Sequence, residues 1–176
     1  MNELPLLDAI QALHTPLLDS VMAFLTQIGN FGAVWALFAC CLFLRRSTRR
    51  LGLFMFLALA AEALVCSGIL KHAFARPRPF TLVPGFELLI PQPGGSSFPS
   101  AHAASSFTAL FFLWFSGHPT LRRIAPGAAV LALLISFSRL YFYVHFPTDI
   151  LAGAVLGGAI GYAAAKLGRS GVSKNF

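Results

Sequence analysis

The sequence predicts an all-α fold, a polytopic transmembrane helical bundle of five or six spans. Of its 176 residues, 57% are hydrophobic and only 11% are charged. The mean hydropathy is +0.74, and the apolar runs are separated by short basic clusters. Soluble domains carry about a quarter charged residues, whereas a membrane helix needs about 20 apolar residues to cross a hydrocarbon core of roughly 30 Å. Residues 1–176 therefore form a single integral membrane domain. The net charge of +7 would suit nucleic acid, but its confinement to clusters between apolar runs excludes that partner and selects the bilayer.

The elements follow in order. Residues 1–28 form an amphipathic N-terminal segment, in which Leu6, Leu7, Ile10 and Leu13 recur at helical spacing over 4–13. Glu3 and Asp8, without a basic n-region, argue against a cleaved signal peptide. Thr15-Pro16 is an N-cap with proline at the first helical position. The apolar run 17–44 is broken by Gly29-Asn30-Phe31-Gly32. It reads as one bent span or as a surface helix followed by a span, and the second reading is preferred. Clear spans cover about 51–71, 100–117, 123–143 and 148–167.

Between the first two of these, residues 72–99 carry Pro77, Pro79, Pro84, Pro91, Pro93 and Pro99 plus Gly94-Gly95-Ser96-Ser97. Such a density of breakers requires a loop outside the hydrocarbon region. Cys40, Cys41 and Cys66 lie in apolar segments and read as small buried hydrophobes, with neither disulfide nor metal spacing. Gly153, Gly157 and Gly161 recur every four residues, as in a close helix–helix contact within the bundle; a homodimer face is the alternative. Tyr141, Phe142 and Tyr143 read as an interfacial belt, with a lipid-tail groove as the alternative.

Basic residues set the orientation. Arg45, Arg46, Arg49, Arg50, Arg122, Arg123, Lys166, Arg169 and Lys174 fall on one side, which should be cytoplasmic. Lys71, Arg76, Arg78 and Arg139 oppose that bias at the outer face. At 1.5 Å per residue, a span starting inside at residue 51 brings Lys71 out about 30 Å later, and one starting at residue 123 brings Arg139 up about 24 Å. His102 and Asp149 open spans returning from the same face, and His145 lies in the turn before the last one.

Two histidines, an aspartate and several cations at one depth suggest phosphate chemistry. Lys and Arg repel metal ions but hold phosphoryl oxygens, Arg through a planar fork. A neutral imidazole is a competent nucleophile when a carboxylate holds its other nitrogen. His145 and Asp149, at i and i+4, share a helical face. A second histidine can protonate the leaving oxygen and then deprotonate water.

Three elements carry a resemblance. Lys71 with Arg78-Pro79 matches Lys-x6-Arg-Pro, and Pro99-Ser100-Ala101-His102 is similar to Pro-Ser-Gly-His. Ser138-Arg139, His145 and Asp149 match Ser-Arg-x5-His-x3-Asp. In order and spacing, residues 65–165 resemble the catalytic core of the type 2 phosphatidic acid phosphatase superfamily. The resemblance implies an acid phosphatase/vanadium haloperoxidase-like core at the extracytoplasmic face of a multi-pass cell-membrane protein. It implies His145 as nucleophile, Asp149 as its orienter and His102 as general acid and base. It also implies Lys71, Arg78, Ser100, Arg139 and the backbone at Ala101 as phosphate ligands, with no metal or other cofactor. Ala101 stands where glycine is commonest; at a helix's first turn it still presents its N–H.

The implied substrate is a lipid phosphate, with undecaprenyl pyrophosphate first because short bacterial members recycle that carrier. Phosphatidylglycerophosphate and phosphatidic acid are alternatives. Vanadate-dependent halide oxidation is disfavoured by the hydropathy. A transporter would spread charge through several depths, and a catalytically dead lipid-binding relative would not keep nucleophile, orienter and acid together. Among residues outside the motifs, Glu62 reads as structural, facing the bundle, and Arg76 equally as a loop charge or a headgroup contact. His72 reads as interfacial, and His14 and His118 as surface residues.

Overall fold

The computed structural model describes residues 3–169; Lys174 of the basic face lies outside them. Helix α1, Leu4–Gln11, buries Leu7 and Ile10. Helix α2, Pro16–Gly29, starts where the Thr15 side chain accepts a hydrogen bond from the Leu18 N–H, the capping expected of Thr-Pro. Phe31 and Gly32, at φ 55° and 65°, then turn the chain into α3, Ala33–Leu44. With 12 residues, α3 spans only about 18 Å and cannot cross alone. Pro16–Leu44 is instead one bent apolar unit of 29 residues, which corrects the preference for a separate surface helix.

Helix α4, Arg49–Ala63, continues into a π-helical segment, Leu64–Leu70, and a short α5, Lys71–Phe74. The Lys71 N–H donates to the Cys66 carbonyl, the widened i to i−5 bond that re-phases a helix and recurs at functional sites. The loop that follows contains a 3₁₀ turn, Pro79–Leu82. Helices α6, Ala101–Phe115, α7, Pro119–Tyr141, and α8, Pro147–Arg169, complete the bundle. Pro16–Leu44, Arg49–Leu82, α7 and α8 are long and apolar enough to cross a membrane, and α6 is a shorter apolar helix.

Helix α6 sits at the centre, packed chiefly on α8 and also on α7 and α4. The glycine stripe makes this possible. A Cβ on Gly153 would lie 2.5 Å from the Ser100 carbonyl oxygen, and Cβ atoms on Gly157 and Gly161 would run into the carbonyl oxygens of Ala104 and Thr108. The stripe is therefore filled by α6, which corrects the alternative of a homodimer face through these glycines. Gly157→Val should destabilise the protein by at least about 3 kcal/mol, because backbone cannot yield as a side chain can. Gly127→Val, where a Cβ meets nothing within 4 Å, should leave thermal unfolding in detergent almost unchanged.

Tyr141, Phe142 and Tyr143 are buried, packed with Leu7, Ile10 and Phe80 in a second core cluster. The belt reading is corrected: protein, not lipid headgroups, surrounds these rings. Cys66 is buried as expected, but Cys41 is exposed on the bundle's outside. At one end of the bundle Gly168 lies beside Leu51 and Phe54, and Gly117 beside Arg169, so the basic ends of α4 and α8 meet the end of α6 there. At the other end the Ser100 N–H donates to the Asp149 carbonyl at 3.0 Å, joining the starts of α6 and α8.

Candidate active site

At that second end, a cavity of about 860 Å³ opens among α2, α4, α6 and the 89–94 loop. Sites for small molecules span roughly 300–1,000 Å³, so it can hold a phosphorylated headgroup. Lys71, Arg78, Ala101, His102, Arg139 and His145 line it. The structure thus gathers residues up to 74 positions apart in sequence, from three motif elements. Asp149 stands behind His145, fully buried.

His145 is held in the turn between α7 and α8. Its Nδ1 lies 3.4 Å from Asp149 Oδ2, at the outer limit of a hydrogen bond, and has no other partner. On the opposite edge, Nε2 lies 3.4 Å from Arg78 Nη1 and faces the cavity cations. Burial drives the imidazole's pKa well below its ordinary value. The Asp149 contact opposes that shift, while Arg139, Arg78 and Lys71 reinforce it. The ring is consequently neutral at pH 7, with its Nε2 lone pair available.

The cations are held by backbone. Arg78 donates to the carbonyls of Gly94, Gly95 and Val144, and Lys71 to that of Ser96 at 2.7 Å. Gly95, at φ 68°, adopts a left-handed conformation that glycine takes without strain. Arg139 is buried and donates through Nη1 to the Thr26 hydroxyl, while its Nε–H has no hydrogen-bond partner. His102 donates from Nε2 to the Thr26 carbonyl at 3.1 Å. Ser100 is placed differently from the expectation. It is fully buried and caps α6, its hydroxyl accepting from the Ala103 N–H, so it supports the helix start that carries Ala101 and His102.

Several partners were not legible in the sequence. Asp149 Oδ2 accepts from the Ser97 hydroxyl and from the Phe146 N–H, and Oδ1 accepts from Arg76 Nη1 at 2.6 Å. Arg76 is therefore not a free loop charge. Thr26 joins His102 to Arg139 from a helix outside the motif region. No motif spacing points to Ser97 or Thr26.

Glu62 is buried on the cavity wall, with Oε1 lacking a hydrogen-bond partner, so it faces the site as well as the bundle. His72 is exposed and bonds only its own helix, at Gly68. His14 is not a free surface residue: it pairs with Asp19 at 2.7 Å and stacks on Tyr141. His118 is half-buried.

Comparison with known proteins bears on the same region. Residues 50–170 match the family model of the PAP2 superfamily. An undecaprenyl-diphosphatase of Sulfolobus acidocaldarius is 31% identical over 162 residues, covering 89% of this chain and 74% of that protein. Among solved structures, the transmembrane PAP2-type phosphatidylglycerolphosphate phosphatase of Bacillus subtilis aligns with a TM-score of 0.74 at 27% identity, over 97% of this chain and 85% of its own. Aquifex aeolicus LpxE aligns at 0.75 and 32% identity, over 93% and 94%.

Proposed function

We propose that this chain, which belongs to the PAP2 superfamily of membrane lipid phosphatases, hydrolyses a polyprenyl pyrophosphate through a phosphohistidine on His145. The observation that carries the reading is the buried imidazole of His145, backed by Asp149 and ringed by Lys71, Arg78 and Arg139 at one cavity. In the first step Nε2 attacks phosphorus, the P–O bond to the leaving group breaks, and His102 gives its proton to the departing oxygen. Its Nε2 is engaged by the Thr26 carbonyl, leaving Nδ1 to carry that proton. In the second step His102 takes a proton from water, the water oxygen bonds to phosphorus, and the N–P bond breaks. The three cations and the Ala101 N–H stabilise the charge on the phosphoryl oxygens.

The segregated basic end supports an extracytoplasmic site, because the end bearing Arg45, Arg46, Arg49 and Arg50 belongs to the cytoplasm by the positive-inside rule. The S. acidocaldarius relative favours undecaprenyl pyrophosphate as substrate. The B. subtilis structure favours phosphatidylglycerophosphate as the second reading. Purified protein assayed with undecaprenyl pyrophosphate, phosphatidylglycerophosphate and phosphatidic acid separates them. The highest kcat/KM should fall on the pyrophosphate, and at least tenfold preference for a monoester would overturn that assignment.

The pH dependence has a definite sign. A lowered His145 pKa keeps the nucleophile unprotonated as pH falls, so the acid limb of kcat/KM should lie below about 6.5, the ordinary imidazole value. An acid limb at or above that value would contradict the buried, cation-ringed His145 of the site.

A further inference from the structure

Residues 3–19, Glu3 with helix α1 and the first turn of α2, precede the family-matched residues 50–170, yet their side chains fasten onto the catalytic turn and the loop beside it. Gln11 donates to the Tyr141 carbonyl, Tyr141 to Asp19, and Tyr143 to Asp8. Glu3 accepts from the Thr148 N–H at 2.9 Å, capping the exposed first turn of α8, and pairs with Arg76 Nη2 at 2.7 Å. Burial pushes the Glu3 carboxyl's pKa up, but its bonds from Arg76 and Thr148 outweigh this and hold it below the usual range. Burial also drives the Tyr143 hydroxyl up to about 12, reinforced by Asp8, so it stays a donor.

Arg76 is the hinge of this arrangement. Its Nη1 reaches both Thr148 Oγ1 at 2.7 Å and Asp149 Oδ1 at 2.6 Å, its Nη2 reaches Glu3, and its guanidinium lies 4.0 Å above the Phe146 ring. Asp149 is consequently gripped on both oxygens. Arg76 takes Oδ1, while Ser97 and the Phe146 N–H take Oδ2, the oxygen that faces His145 Nδ1. The carboxylate cannot rotate without losing one of these bonds. The planar fork places one nitrogen on Asp149 and the other on Glu3.

We propose that Arg76, clasped by Glu3 at the start of α1, is a positioning residue that fixes Asp149 and through it sets the orientation and basicity of His145. This rests on His145 being the nucleophile. Arg76 does not line the main cavity; with Lys71 and Arg78 it lines the smaller pocket beside it, and its side chain is turned to Asp149 and Glu3. The charged and titratable groups facing the pair are Lys71, Arg78, Arg139, His102, Arg76 and, beyond it, Glu3. Removing Arg76 withdraws a positive charge and frees Asp149's charge for the imidazole. Both effects favour imidazolium, so His145 loses its lone pair at a higher pH.

The test is kcat and KM against pH for purified wild type, Arg76→Gln, Arg76→Lys, Glu3→Gln and the Arg76→Gln/Glu3→Gln double variant. Arg76→Gln should lower kcat at pH 7 about tenfold to a hundredfold, the scale on which a group orienting a reactive ligand acts, with KM changed less than about threefold. Its acid limb should move to higher pH, and part of the lost rate should return as pH rises. Arg76→Lys, which keeps the charge, should hold the limb near the wild-type position. Glu3→Gln should cost a smaller factor, and the double variant should be no slower than Arg76→Gln, because Glu3 acts through Arg76.

A uniform loss across pH with an unmoved limb would overturn the proposal, as would a KM rise at unchanged kcat or additive losses in the double variant. If Arg76→Gln does not fold, Arg76→Lys and Glu3→Gln still decide: an acid limb displaced in Arg76→Lys, or a kcat unchanged in Glu3→Gln, would overturn the proposal. Failure of the underlying reading looks different: His145→Ala would then keep wild-type turnover whatever the Arg76 variants do.

Discussion

Replacing His145 with alanine should abolish phosphate release from lipid phosphates, with kcat lowered on the order of 10⁴-fold or more. Losing a nucleophile costs on that scale because the remaining groups stabilise charge but cannot form the bond. Here the remaining groups are strong, with Lys71, Arg78 and Arg139 still in place on backbone carbonyls and on Thr26. Substrate affinity should therefore survive the change, and KM should move little while kcat collapses. Inorganic phosphate released in detergent at saturating substrate is the measurement. His72→Ala supplies the contrast: this ring is exposed and bonds only the Gly68 carbonyl, so turnover should stay near wild type.

Asp149→Asn should be nearly as damaging, at about 10³- to 10⁴-fold in kcat, the range found where an amide replaces the carboxylate behind a catalytic histidine. The geometry makes the substitution harsher than its size suggests. Asp149 accepts on both oxygens, from Arg76 on one side and from Ser97 and Phe146 on the other. An asparagine amide must turn its NH₂ toward one of these donors, losing the bond and opposing N–H to N–H or O–H in a buried site. If it turns toward Ser97 and Phe146, His145 also faces a donor, which selects the tautomer with its proton on Nε2 and removes the nucleophilic lone pair. The variant should show a lowered unfolding temperature as well as the kinetic loss, and wild-type stability with wild-type kcat would refute this reading of the carboxylate.

The candidate site was largely legible because its residues sit at helix ends, where spacing and hydropathy jointly report depth. Lys71, at the end of a long apolar run, and His102 and Asp149, at the starts of returning spans, could be brought to one level by rise per residue alone. The partners of those residues were hidden for a physical reason. Arg76 and Asp149 are 73 positions apart, Thr26 and Arg139 113, and Glu3 and Thr148 145; no local period encodes such pairings. Thr26 is also an ordinary helix residue until α2 folds across α7.

Hydropathy misled where it could not tell burial in protein from burial in lipid. Tyr141, Phe142 and Tyr143 have the composition of an interfacial belt, yet α1 covers them and supplies Asp8 to the Tyr143 hydroxyl. The glycine stripe left the same ambiguity between an internal and an external partner, which the carbonyls of Ala104 and Thr108 resolve in favour of α6. The bend at Phe31 and Gly32 was visible as a break, but the shortness of α3 decides that its two sides form one unit.

The central claim, that His145 carries the phosphoryl group between substrate and water, is tested most directly by trapping. Turnover is stopped in alkali within milliseconds, conditions under which a phosphorus–nitrogen bond to imidazole survives, and the digested protein is mapped by mass spectrometry. A phosphoryl group should appear on His145 in the wild type and be absent from His145→Ala. Sustained turnover with no phosphohistidine, or a phosphoryl group on His102 or His72 instead, would contradict it.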